Sequence, residues 1–162
     1  MLDISKAVLL TSAAGLLFTV ACNGPSRQHG EPATPLTAAI KGDVAQLKAM
    51  DTAGADLNAQ YPDRFNWTAL MAAIYFQNPE IIQYLLDRNV DVRKRDGTGN
   101  TALMWAIQLD DTNTVSLLVN RAPKALREGE DWPKVAAEIQ ADPHPERWHA
   151  LLDQFIEDYG RR

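Results

Sequence analysis

Apolar residues recur three and four apart in two stretches of nearly identical text, WTALMAAI at 67–74 and NTALMWAI at 100–107, the second starting 33 positions after the first. Leu70, Ala73 and Ile74 return as Leu103, Ala106 and Ile107, which puts them on one helical face where the small alanines let neighbouring helices approach. Thr68 and Thr101 precede these runs as N-cap residues, and Thr34 followed by Pro35 marks a third start. A second apolar set follows each run: Val44 and Leu47, then Ile81, Ile82, Leu85 and Leu86, then Val115, Leu118 and Val119. Gly54 and Asn89 suit the left-handed residue that ends a helix, and the chain is expected to turn outward as a short hairpin after each. A fixed period of 33 indicates stacked units. The predicted fold is all-α, a solenoid of about three helix-turn-helix units over residues 34–122.

This text resembles the ankyrin repeat, which runs Gly-x-Thr-Pro-Leu-His-x-Ala-Ala and closes on Gly-Ala-Asp-Val-Asn; here Gly54, Ala55, Asp56, Leu57 and Asn58 stand in the closing turn. Met71 and Met104 replace the family histidine, whose hydrogen bonds tie adjacent repeats together, so softer stacking is expected. Gln77 and Asp110 replace the inter-helix glycine, so longer or strained turns are expected there. The step from Asp56 to Thr68 is two residues longer than that from Asp91 to Thr101, and AQYPDRFN at 59–66 is expected to form an enlarged finger. Beyond residue 122 the repeat text ends. Trp132, Val135, Ala136 and Ile139 suggest one helix, and Trp148, Leu151, Leu152, Phe155, Ile156 and Tyr159 another, opened by Pro145 and ended by Gly160. Residues 123–162 are expected to cap the last open interface of the array.

The amino terminus reads as an address. Residues 7–21 are uncharged and apolar, follow the short basic start MLDISK, and run into a Gly, Pro and polar stretch. As a helix they would span roughly 22 Å, short of the ~20 residues that cross a bilayer. Residues 1–21 are therefore expected to be a signal peptide, and the lone cysteine, Cys22, falls where it ends. TVAC resembles the lipobox of bacterial lipoproteins, with Thr19 in place of the usual Leu; ordinary cleavage after Ala21 is the alternative. The resemblance implies a lipidated Cys22 on a flexible tether over 22–33, and Asn23 in place of Asp favours the periplasmic side of the outer membrane. Export also disfavours ATP-dependent chemistry.

Composition narrows the function. With 162 residues, 46% of them hydrophobic, a single core is affordable. A formal charge of -5 lacks the positive field that nucleic acid requires, and one cysteine excludes a disulfide framework. His29, His144 and His149 lack zinc spacing, and neither a Gly-x-Ser-x-Gly nor a phosphate-cradling loop occurs. No enzyme activity, cofactor or metal is expected. Non-covalent binding of a protein partner by a monomer is. The resemblance implies contacts from hairpin tips and from the variable positions after the first-helix alanines. These are Tyr61, Arg64, Phe65, Asn66 and Trp67 on the finger, Tyr75 and Phe76 behind it, and Ile40 and Lys41 in the first unit. Arg93, Arg95, Thr98, Asn100, Gln108 and Leu109 complete the set.

Aromatic and arginine side chains dominate interface energetics, and an exposed apolar cluster marks a binding surface. In the competing reading, Phe65 and Trp67 fold back over the finger and Tyr75 or Phe76 packs against it. Arg93 and Arg95 would suit an acidic partner, or form a solvated turn with Lys94. Two roles fit: an envelope scaffold or accessory factor, and an immunity protein filling a toxin's active-site cleft with the finger.

Overall fold

The computed structural model describes residues 32–160, with side chains given except at Gly129 and 154–160. The expected signal peptide, Cys22 and nearly all of the tether lie outside the described residues, as do the side chains of Phe155, Ile156 and Tyr159. Nine α-helices carry the described chain: α1 (Pro35–Lys41), α2 (Val44–Thr52), α3 (Ala69–Tyr75), α4 (Pro79–Asp87), α5 (Ala102–Gln108), α6 (Thr112–Arg121), α7 (Pro123–Gly129), α8 (Trp132–Ala141) and α9 (Glu146–Gly160).

Each first helix starts the same way. Thr34, Thr68 and Thr101 hold extended backbone, and their hydroxyls accept the N–H of Thr37, Met71 and Met104. The second helices α2 and α6 are capped by Asp43 and Asp111. Asn78, heading α4, instead donates its amide to the Ala39 carbonyl of the preceding unit at 2.8 Å. The inter-helix turns close identically in all three units. Asp43, Asn78 and Asp111 each donate N–H to the carbonyl of Ala38, Ala73 and Ala106 at 2.9 Å. Gly42, Gln77 and Asp110 sit at φ 71°, 54° and 59°. The turns expected to be longer or strained thus keep the glycine turn's length and carry the strain, with side chains in the left-handed region.

Two rows of helices result. α1, α3, α5 and α8 pack successively in one row, and α2, α4, α6 and α9 in the other. The interior between the rows is apolar, from Leu36 and Leu47 through Leu70, Ile74, Ile81, Leu85, Leu103, Ile107 and Leu118. Met71 and Met104, each 1% exposed, fill the family histidine's position with buried thioethers. Polar ties between units come from elsewhere: Tyr84 donates to Asp51 at 2.6 Å, Asn58 accepts the Asp91 N–H at 2.6 Å, and Arg121 reaches Asp87 at 2.7 Å.

The segment after residue 122 continues the stack. α8 rests on α5 and α9 on α6, the places a fourth unit's helices take, and α7 packs on α6 ahead of them. Leu126, Trp132, Val135, Ile139, Trp148 and Leu152 bury themselves there. Arg147 pins this end, reaching Asp110 at 2.6 Å and Asp142 at 2.8 Å. The Trp148 indole also donates to Asp142, at 2.9 Å.

Candidate partner-binding surface

The enlarged finger owes its shape to a tight backbone reversal. Tyr61 donates its N–H to Trp67 at 3.2 Å, forming one antiparallel bridge, and the Tyr61 carbonyl accepts from both Arg64 and Asn66 at 2.9 Å. Pro62–Arg64 makes one 3₁₀ turn, and Phe65 and Asn66 then take φ of 55° and 61°. The second hairpin braces this reversal. Gly97 donates to the Phe65 carbonyl at 2.7 Å, and a Cβ at position 97 would lie 3.1 Å from that oxygen, so a side chain there would crowd the contact. The Gln60 amide bridges the two turns, donating to Asn66 at 3.0 Å and Arg95 at 2.8 Å.

Asp96 organises the second hairpin. Only 6% exposed, one of its carboxylate oxygens accepts from the Thr98 N–H, the Thr98 hydroxyl and the Asn100 N–H at 2.7–2.9 Å. The other accepts the Trp105 indole N–H at 2.9 Å. That indole is the hub of an aromatic cluster: Trp67 and Tyr75 each lie 5.5 Å from Trp105, 5.0 Å from each other, and Phe76 lies 5.3 Å from Tyr75. Edge-to-face and tilted geometries dominate, as ring quadrupoles favour.

The residues proposed from the sequence therefore divide. Trp67 and Tyr75 are half-buried and pack on each other and on Trp105, so Tyr75 lies against the finger as the competing reading has it, while Trp105 ties both rings to the next unit. Phe65 and Phe76 remain outward, 59% and 38% exposed. Tyr61 is half-buried against the core, and Arg64 is exposed beside Phe65. Arg93 turns back onto Asp91 at 2.8 Å, and their hydrogen bond pulls the carboxyl below its ordinary value. Arg95 donates to the Gly99 carbonyl at 3.1 Å, and Asn100 accepts from Lys134 at 3.0 Å. Gln108 is half-buried at the end of α5; Leu109 and Ile40 pack partly on the core, while Lys41 is exposed. Trp105 and Asp96 are absent from the sequence-derived set. The signal for Trp105 was one letter, MWAI against MAAI, the place where the shared phrase breaks its small-residue pattern.

This surface offers apolar rings on a braced backbone. Among the described residues no group of three or more His, Cys, Asp or Glu side chains could hold a metal ion, and no helix is long and apolar enough to cross a membrane. His144 and His149 are exposed and lie against Glu146 and Asp153 at 3.5 and 2.7 Å.

Comparison with known proteins agrees with the architecture. A family model for ankyrin repeats in three copies matches residues 12–96 and 36–128. The rat and mouse ankyrin repeat and SAM domain-containing protein 6 are 39% and 38% identical over 87 residues, 53% of this chain. The chain spans about a tenth of the length of those relatives. A chain in the solved complex of a predatory endopeptidase from Bdellovibrio bacteriovorus with an immunity protein is similar at a TM-score of 0.50 and 30% identity, over 57% of this chain and 47% of that one. With matching stretches that together take in well over half of the sequence, and the two-row stack they predict, the chain belongs to the ankyrin-repeat family.

Proposed function

We propose that the protein is a non-catalytic binding module that holds a protein partner on the surface around Phe65 and Phe76, exported and attached by a lipid on Cys22 to the outer membrane, facing the periplasm. The observation that carries the binding reading is Phe65: a large ring 59% exposed on a backbone whose carbonyl accepts a hydrogen bond from Gly97 of the neighbouring hairpin. A pre-set loop loses little further freedom on binding, so more of the ring's burial appears as affinity. The uncharged stretch at 7–21 ending at TVAC supports export and the anchor. In this role the protein serves the envelope as a scaffold or accessory factor.

A second role has its own support. Similarity to a chain in an endopeptidase–immunity protein complex favours an immunity-type inhibitor, with the finger lodged in the cleft of an envelope-targeting toxin or enzyme. Affinity capture from the native envelope, with the mature chain as bait and a Phe65→Ala/Phe76→Ala variant beside it, tests both. A partner that the double variant loses supports the binding surface. If that partner is a hydrolase whose turnover the wild-type chain stops, the role is inhibition; a non-enzymatic envelope component makes it accessory. Equal recovery by both baits would refute this surface.

A further inference from the structure

Glu130 lies at the junction of α7 and α8, and its surroundings do not suit a charged carboxylate. Its Oε2 accepts a hydrogen bond from the Thr101 hydroxyl at 2.9 Å. Oε1 is closed off from solvent and has no hydrogen-bond partner among the described residues. Thr101 is itself fully buried at the head of α5, where its oxygen also accepts the Met104 N–H at 3.3 Å. Of the nearby cations, Lys134 in the first turn of α8 bonds Asn100, and Arg95 donates to the Gly99 carbonyl while its charge still acts on Glu130. Of the remaining charges, Asp131 adjoins Glu130 in the chain, and Glu128 on α7 acts on Arg93.

We propose that Glu130 is a proton-operated latch fastening the α7–α8 junction to the start of α5, closed while the carboxyl carries its proton and loosened when it ionises. A carboxylate with one oxygen closed off and unpartnered is costly, whereas the neutral acid asks for far less. Burial pushes the Glu130 carboxyl up from 4.5 to about 7, Asp131 adds to the rise, and the Thr101 hydrogen bond and Arg95 oppose it without cancelling it. The folded chain therefore binds a proton that the opened junction releases. The stabilisation is complete below the ordinary value of 4.5, declines as pH rises, and is gone above about 7. The latch also reaches the second hairpin, because Asn100 accepts from Lys134 at the start of α8 and the neighbouring Thr101 donates to Glu130 just before it.

Two measurements on the mature chain test it. The side-chain carboxyl resonance of Glu130, followed by carbon NMR, should titrate near neutrality. Amide exchange in α8, corrected for intrinsic rates, should show opening that increases between pH 5 and 7 toward the one-proton ceiling of about tenfold per pH unit, then levels. Glu130→Gln keeps an acceptor for Thr101 and should flatten that profile. A Glu130 carboxyl that titrates in the ordinary carboxylate range overturns the proposal even if the variant fails to fold. So do superimposable exchange profiles of wild type and Glu130→Gln.

Discussion

The aromatic side chains share one composition and split into two jobs by position. Trp105 gives its indole N–H to the buried Asp96 and its ring to Trp67 and Tyr75, so it fixes the second hairpin and the finger together. Phe65 instead points its ring outward. Trp105→Ala should therefore cost about 3 kcal/mol in a urea melt, while Phe65→Ala should stay within ~0.5 kcal/mol and show its effect only in partner binding. The opposite ranking would make the finger a structural plug. Sequence located the finger through its two extra residues, yet it could not separate anchors from exposed rings, because that depends on Trp105 reaching across 38 positions to Trp67. The strained turns give a second residue-scale test. Gln77 holds φ 54° without glycine's freedom. Gln77→Gly should stabilise by about 0.5–1 kcal/mol, and Asp110→Gly by less because it forfeits the ion pair to Arg147. An unchanged or lowered melting temperature for Gln77→Gly would show that this turn stores no strain.

At the scale of elements, helix starts and buried faces were legible wherever the text repeats, since Thr caps and the Leu, Ala and Ile spacing report local geometry directly. A cap was expected from residues 123–162, but the seating of α8 on α5 and α9 on α6 as a fourth layer was not legible. Their apolar faces fit any amphipathic helix, and the bonds that seat them involve single residues with no repeat counterpart. Chief among these is Asp142. Burial would raise its carboxyl, but the Trp148 indole, the His144 N–H and Arg147 outweigh burial and hold it at about 2, against an ordinary 3.8. Its contribution is thus complete above pH 3.8 and is lost as pH falls toward 2. Denaturant melts from pH 5 down to 2 should show a shallower acid slope for Asp142→Asn than for wild type, with the variant already weaker at pH 5. Parallel slopes would remove Asp142 from the seat of the last helix.

Residues 32–160 form a stack of helices, and the proposed binding falls to its hairpins. Both hairpins lean on one another through Gly97 and Gln60, and the second is tied to α8 through Asn100, so the surface is borne by three layers instead of one loop. Family and fold could be seen in the sequence because stacking is written in a period; the partner could not, because the exposed positions are those the period leaves free. Arginines that looked suited to an acidic partner illustrate the difference: Arg93 and Arg95 are engaged within their own turn by Asp91 and Gly99, leaving the exposed rings as the stronger candidates for contact. The most direct test of the account is a hydrogen-exchange footprint of the chain bound to its captured partner. Protection confined to residues 61–67, 75–77 and 96–100 is the predicted result. Protection concentrated on α2, α4 and α6, with the finger unchanged, would contradict it.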